Sequence, residues 1–422
     1  MSFRTKRAVF TAATCVAVAL HSVVPASAID NPGDHLWSTD RVYATGNSTF
    51  TAPVPHINAN TKQNTVRLWK KFWEQAPISN VPVVDSSRCS SAMPSARLMQ
   101  QQVSALNNLR QMASLQPVEL FAPDSRVYRE VQANAISTAV TSAALKKLKI
   151  SHHPVDDGYY CAGKDAERGG ASSLSVASTN GSVDGINHLD GLVRDETKTD
   201  PGHRIQLLAY DFARTAVGAG TARNGWKYTT YAIRSLDGNN DGVSDTARER
   251  AYAFWPSAGY FPKEGMNMMA WSAQLPGVDL NNAKVEIQKP NGSRYAVDSF
   301  VSRSHLGKYG YDTLVFPAPD HNNPQSGTYV VSITTNDGQL TYPVTVFTSG
   351  VPVEKKPELT ILGSTDGVNT IGNSSSDKEG KQDGTDAGSS GSSEQNLSTV
   401  LFVILMILST VSKMPITIPI GG

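Results

Sequence analysis

From about residue 353 to residue 396 the chain is dominated by Ser, Gly, Asp, Lys and Asn, with almost no aromatic or branched side chain to bury. Such a stretch cannot offset the conformational entropy lost on ordering, so it is expected to be a flexible stalk and not a domain. Every folded core must therefore be drawn from the residues before it. Beyond it, residues 397–411 form an uncharged apolar run, after which Lys413 and Pro415 intervene. A spanning helix takes about 20 apolar residues, more than this run holds, although residues 414–420 are again largely apolar. The expectation is a disordered stalk over 351–396 and a C-terminal membrane anchor over 397–418, with Lys413 on the inner side. An associating hydrophobic tail is the alternative. No Leu-Pro-x-Thr-Gly sorting signal precedes the run.

At the other end, Arg4, Lys6 and Arg7 precede an apolar run over residues 8–20, then Pro25 and the triplet Ala26-Ser27-Ala28. That order predicts a secretory signal peptide over 1–28, cleaved after Ala28, and hence a protein working at the cell surface or envelope. Cys15 falls within the signal, which leaves Cys89 and Cys161 in a chain bound for an oxidising compartment. One disulfide between them is expected; two free buried thiols are the other reading. A net charge of +1 over 422 residues offers no field for nucleic acid, and no basic block alternates with aromatics. Lys146, Lys147 and Lys149 close a helix-like segment and read as a solvated face at a favourable dipole end.

Between signal and stalk lies enough chain for two domains and an N-terminal extension over 29–94. Trp69, Phe72 and Trp73 share one helical face in that extension, which points to a helix docked on the main domain. Two longer helical patterns follow, one from Ser95 with Leu98, Val103, Leu106 and Leu109 inward, and one after Asp124 with Val127, Val131 and Ala135 inward. Asp124 is a candidate cap for the second. A third helix is expected near Asp184, with Ile186, Leu189 and Leu192. After His203 short alternating segments between Gly and Asn signals replace helices, and those between Val278 and Phe347 recur as in a small antiparallel β-sandwich.

Five segments in register resemble the CAP superfamily, the cysteine-rich secretory, antigen 5 and pathogenesis-related proteins, in their long secreted bacterial form. They are residues 106–118, from Leu106-Asn107-Asn108-Leu109 on; Ser151-His152-His153-Pro154; Gly202-His203-Arg204-Ile205; Val217-Gly218-Ala219-Gly220; and Trp255-Pro256 with Trp271-Ser272. The resemblance implies an α+β chain: an α-β-α sandwich over 95–250 followed by an Ig-like antiparallel β-sandwich over 251–350. It also implies a cleft in which His152 and His203, with two carboxylates, hold Zn2+ or another divalent ion. His153 is an alternative to His152. The sequence departs from the family where Ser172-Ser173-Leu174 stands in place of Glu-Asn-Leu, which removes one acidic ligand; Asp195 and Glu167 are the remaining acids.

A separate oxygen-rich segment, Asp237-Gly238-Asn239-Asn240-Asp241-Gly242-Val243-Ser244-Asp245, places Asp237, Asn239, Asp241 and Asp245 as ligands for Ca2+. Arg248 occupies the position of an EF-hand's bidentate Glu, so the likeness is to shorter extracellular repeats. An ion-free Asn/Asp/Gly turn is the alternative. There is no Gly-x-Ser-x-Gly elbow, no His-Glu-x-x-His helix and no phosphate-binding glycine loop. The expected function is therefore a membrane-tethered extracellular protein that binds a lipid, peptide or cell-wall ligand, with an enzymatic role as the weaker reading. The alternatives are a metal-dependent hydrolase of wall or protein substrates and an adhesive surface protein with a vestigial cleft.

Overall fold

Thr61, Ser95 and Ser125 start the three longest helices, each side-chain oxygen accepting a hydrogen bond from a backbone N–H of the first turn. The helices are α1 (Lys62–Trp73), α2 (Ala96–Met112) and α3 (Arg126–Leu145). Ser125, not Asp124, caps α3, because its Oγ lies 3.1 Å from the Val127 N–H. The computed structural model describes residues 41–43, 58–74, 80–179, 185–194, 201–237, 241–245, 247–266, 270–297, 301–303, 312–320, 323–352 and 360–363. The expected signal peptide and anchor lie outside the described residues, as do Asp195 and Asn239. Among the described residues no helix is long and apolar enough to cross a membrane.

Three shorter helices follow: α4 (Lys164–Gly169), α5 (Gly185–Arg194) and α6 (Gly202–Leu207). Ile186, Leu189 and Leu192 are all buried on α5, as their spacing predicts. In the same region strands β4 (Ser172–Thr179), β6 (Val217–Asn224), β7 (Trp226–Arg234) and β17 (Thr360–Gly363) form an antiparallel sheet in the order β17-β4-β7-β6. Six consecutive residues of β4 and six of β6 are buried. Since alternate residues face opposite sides, this sheet is covered on both faces. Helix α3 lies along β6 and β7 on one face. Gly218 permits that approach, because a Cβ there would fall 2.6 Å from the Val131 carbonyl oxygen. On the other face Ser173 and Ser175 of β4 hydrogen-bond to Gln206 on α6 and His188 on α5.

The remaining strands are β1 (Arg41–Tyr43), β2 (Asn58–Asn60), β3 (Glu119–Leu120), β5 (Arg214–Thr215), β8 (Ala253–Trp255), β9 (Gly259–Pro262), β10 (Ala270–Gln274), β11 (Lys284–Gln288), β12 (Arg294–Ala296), β13 (Val301–Arg303), β14 (Thr313–Pro317), β15 (Gly327–Thr335) and β16 (Gly338–Phe347). They make a seven-stranded sheet, β1-β2-β9-β16-β15-β11-β12, a four-stranded sheet, β13-β14-β10-β8, and the short pair β3-β5. The seven-stranded sheet is not purely antiparallel: β9 runs parallel to both β16 and β2. The two larger sheets meet through aromatic contacts, Phe254 stacked on Tyr342 at 4.1 Å and Trp271 edge-on to Tyr329 at 5.5 Å. The architecture is α+β, with helices beside several mainly antiparallel sheets.

The N-terminal extension joins both regions. Trp69 and Phe72 are fully buried where α1 packs on α2 and β9, and β2 enters the seven-stranded sheet. Residues 360–363, inside the expected stalk, form β17 on the outer edge of β4. Ile361 and Leu362 are among the few branched residues in that polar stretch, which suits them to a strand edge.

Candidate functional site

The segment from Ile150 to Gly163 is almost without regular structure, yet it is held at many points to the outer face of α3. Ser137 Oγ donates to the Tyr160 carbonyl at 2.8 Å, and the Tyr160 N–H donates to Thr141 Oγ1 at 3.0 Å. Ser151 Oγ accepts from the His153 N–H at 2.8 Å and bonds the Asp157 carboxylate. Cys161 is joined to Cys89 with Cα atoms 5.2 Å apart, the pairing expected for the two cysteines beyond the expected signal. Gly170 closes the segment against α4: a Cβ there would lie 1.8 Å from the His152 carbonyl oxygen.

On this scaffold the side chains of His153, Asp156 and Glu167 converge, one ligand atom from each lying within 4.8 Å of the others. His153 Nδ1 is 2.9 Å from Glu167 Oε1, and Glu167 Oε2 accepts the Val155 N–H at 2.9 Å. The backbone bond aims the carboxylate, while His153 stays largely exposed. One imidazole and two carboxylates are a donor set suited to a divalent transition ion, and three protein ligands leave coordination positions open. Val155 and Tyr160, 47% and 54% exposed, supply apolar surface on the same segment.

Of the four residues expected in the cleft, Glu167 is thus brought to His153, the alternative histidine. His152 turns its Nδ1 to the Gly170 carbonyl at 2.6 Å. His203 is buried on α6, and Asp195 lies outside the described residues. Ser172, standing where the resemblance places a glutamate, is fully buried, and its Oγ has no hydrogen-bond partner among the described residues. It pairs across β4–β7 with Arg234, whose guanidinium is also fully buried.

Arg234 explains the geometry of the oxygen-rich segment. Its Nη2 donates to Asp241 Oδ2 at 2.5 Å, its Nη1 lies 4.0 Å from Glu130, and Asp237 Oδ1 accepts the Asp241 N–H at 2.7 Å. Asp245 accepts the Ala247 N–H at 3.0 Å. Burial and the neighbouring Asp237 carboxyl raise the pKa of Asp241, with Arg234 opposing them. Among the described residues, Asp237, Asp241 and Asp245 do not gather ligand atoms into one group.

Sequence reasoning passed over His188, which is fully buried on α5, hydrogen-bonded through Nδ1 to Ser175 Oγ at 2.7 Å and 4.7 Å from the Tyr231 ring. Its helical spacing with Leu189 and Leu192 carried a packing signal but none for a buried imidazole. Burial pulls its pKa down to about 3. The unfolded chain therefore takes up a proton at this residue near pH 6.5 that the folded chain refuses. Stability from His188 is complete above about pH 6.5 and falls by about 1.4 kcal/mol per pH unit below it, until about pH 3 is reached. His188→Gln should flatten the slope of stability against pH between about 6 and 4 by roughly that amount. Denaturant titrations at three pH values read it, and parallel slopes for the two proteins refute the assignment.

No family model, no curated protein and no solved structure matches this chain.

Proposed function

We propose that the chain is an exported, membrane-tethered binding protein of the CAP type, which takes a lipid, peptide or cell-wall ligand at the segment bearing His153, Asp156 and Glu167. The observation that carries the reading is the convergence of those three side chains within 4.8 Å on a segment closed by a disulfide. A divalent ion held there would present its open positions to oxygens of the ligand, and Val155 and Tyr160 would cover its apolar part. Binding is favoured over hydrolysis because Ser172 replaces an acidic side chain, and the nearby hydroxyls of Ser173 and Ser235 are spent on Gln206, at 3.1 and 2.9 Å.

Titration calorimetry of the full-length protein with Zn2+ and Mn2+ near neutral pH tests it. One ion should bind, and His153→Ala and Glu167→Gln should each weaken it by about tenfold to a hundredfold. Equal affinity in wild type and both variants would refute the site.

A further inference from the structure

The turn between β6 and β7 carries an exposed tryptophan among cations. Gly225, at φ +78°, makes the turn, and Trp226 directly after it is 51% exposed, whereas Trp69, Trp255 and Trp271 are buried. Arg223 stands directly opposite Lys227 in the antiparallel register, so both strands bring a cation to this end of the hairpin. Asn224 Nδ2 donates to the Ala143 carbonyl at 2.9 Å and so holds the hairpin against the last turn of α3. There Leu145 is 49% exposed, followed by the exposed side chains of Lys146 and Lys147. Among the described residues no carboxylate forms an ion pair with Arg223, Lys146 or Lys147.

Lys146 and Lys147 complement the negative end of α3, but that role accounts for neither Arg223 nor the two exposed apolar side chains. A soluble phosphate polymer would satisfy the cations and leave Trp226 and Leu145 in water. A bilayer with anionic headgroups satisfies both: indole is favoured at the boundary between headgroup and acyl chain, and Lys and Arg keep their charges at the phosphates while their stems lie along apolar surface. We propose that this end of the molecule, Trp226 and Leu145 ringed by Arg223, Lys146 and Lys147, docks on a surface of anionic phospholipid.

The test uses the full-length protein with vesicles of phosphatidylcholine alone or mixed with phosphatidylglycerol, both carrying lipid brominated on the acyl chain, at about 0.15 M salt. Subtracting the emission of Trp226→Phe isolates the Trp226 signal. Comparing the two vesicle types removes any contribution from the apolar C-terminal segment. Trp226 should be quenched in the anionic vesicles and not in the zwitterionic ones. The triple variant Arg223→Ser, Lys146→Ser, Lys147→Ser should need roughly a hundredfold more anionic lipid for the same quenching, about fivefold per cation. Its thermal midpoint should fall by no more than a few degrees, since all three side chains are exposed and the two lysines contribute only their interaction with the end of α3. Equal quenching in both vesicle types, no quenching in either, or a triple variant that behaves as wild type would overturn the proposal. So would inorganic polyphosphate shifting the Trp226 emission while the vesicles do not.

Discussion

Arg204→Met should destabilise the folded protein by about 3–5 kcal/mol, because several buried acceptors lose their donor at once. Arg204 is fully buried on α6. Its Nε and Nη2 donate to the Val193 and Arg194 carbonyls at 2.8 Å, and its Nη1 donates to the Ala270 carbonyl at 3.0 Å and Ser272 Oγ at 3.3 Å. One planar guanidinium thus satisfies the C-terminal carbonyls of α5 and a strand of the β region together. Methionine fills much of the same volume but leaves those acceptors buried without the donor, and each unsatisfied group costs about 1–3 kcal/mol. Lysine should recover only part of the loss, because a single ammonium cannot reach acceptors on both sides of a flat fork. Urea denaturation followed by tryptophan emission measures the change. A loss below about 1 kcal/mol for the methionine variant would show that water or rearrangement replaces the clasp.

This residue also shows what the sequence conveys and what it withholds. Gly202-His203-Arg204 drew attention for its histidine, yet the connections described around it belong to the arginine. Likewise Arg110, within Leu106-Asn107-Asn108-Leu109-Arg110, is not among the inward positions of its helical pattern. In the fold it is fully buried and donates to the carbonyls of Gln116, Leu207 and Ala209 at 2.8, 2.7 and 3.0 Å. A charge–carbonyl clasp has no period, so a pattern of apolar spacing cannot reveal it. Where burial follows a period, the reading succeeds. Trp69 and Phe72 on α1, the inner face of α2, and strands β15 and β16 stand where helical spacing or alternation puts them.

Strand β4 was less visible for the opposite reason. Its Ser172, Ser173 and Ser175 are polar by composition and buried in fact, and two of them are matched by Gln206, Ser235 and His188, residues from 13 to 62 positions away. Polar partners that distant in sequence cannot be paired by inspection. The candidate site divides the same way. Glu167 and a histidine four residues upstream of Asp157 were within view, but Asp156 was not, and the choice of His153 over His152 depends on the Gly170 carbonyl taking the other ring.

Removing the Cys89–Cys161 disulfide, as Cys89→Ser with Cys161→Ser, should destabilise the protein by about 4 kcal/mol if the chain-entropy account holds, because the bond closes a loop spanning 72 residues of sequence. The effect should be local as well as global. Cys161 anchors the segment that carries His153 and Asp156, and Cys89 anchors the turn in which Asp85 accepts the Ser87 N–H at 3.0 Å. With the bond gone, Tyr160 keeps its hydrogen bonds to Ser137 and Thr141, but the segment is no longer tied across to residues 86–90. The double variant is therefore expected to lose divalent-ion affinity at temperatures where its far-UV spectrum is still native. Comparing guanidinium midpoints of oxidised wild type and the variant gives the global term, and calorimetry at about 25 °C gives the local one. Full stability in the variant would mean that α3 and its hydrogen bonds alone define the segment. Lost stability with unchanged ion affinity would mean that the disulfide restrains the unfolded chain and contributes nothing to the geometry of His153, Asp156 and Glu167.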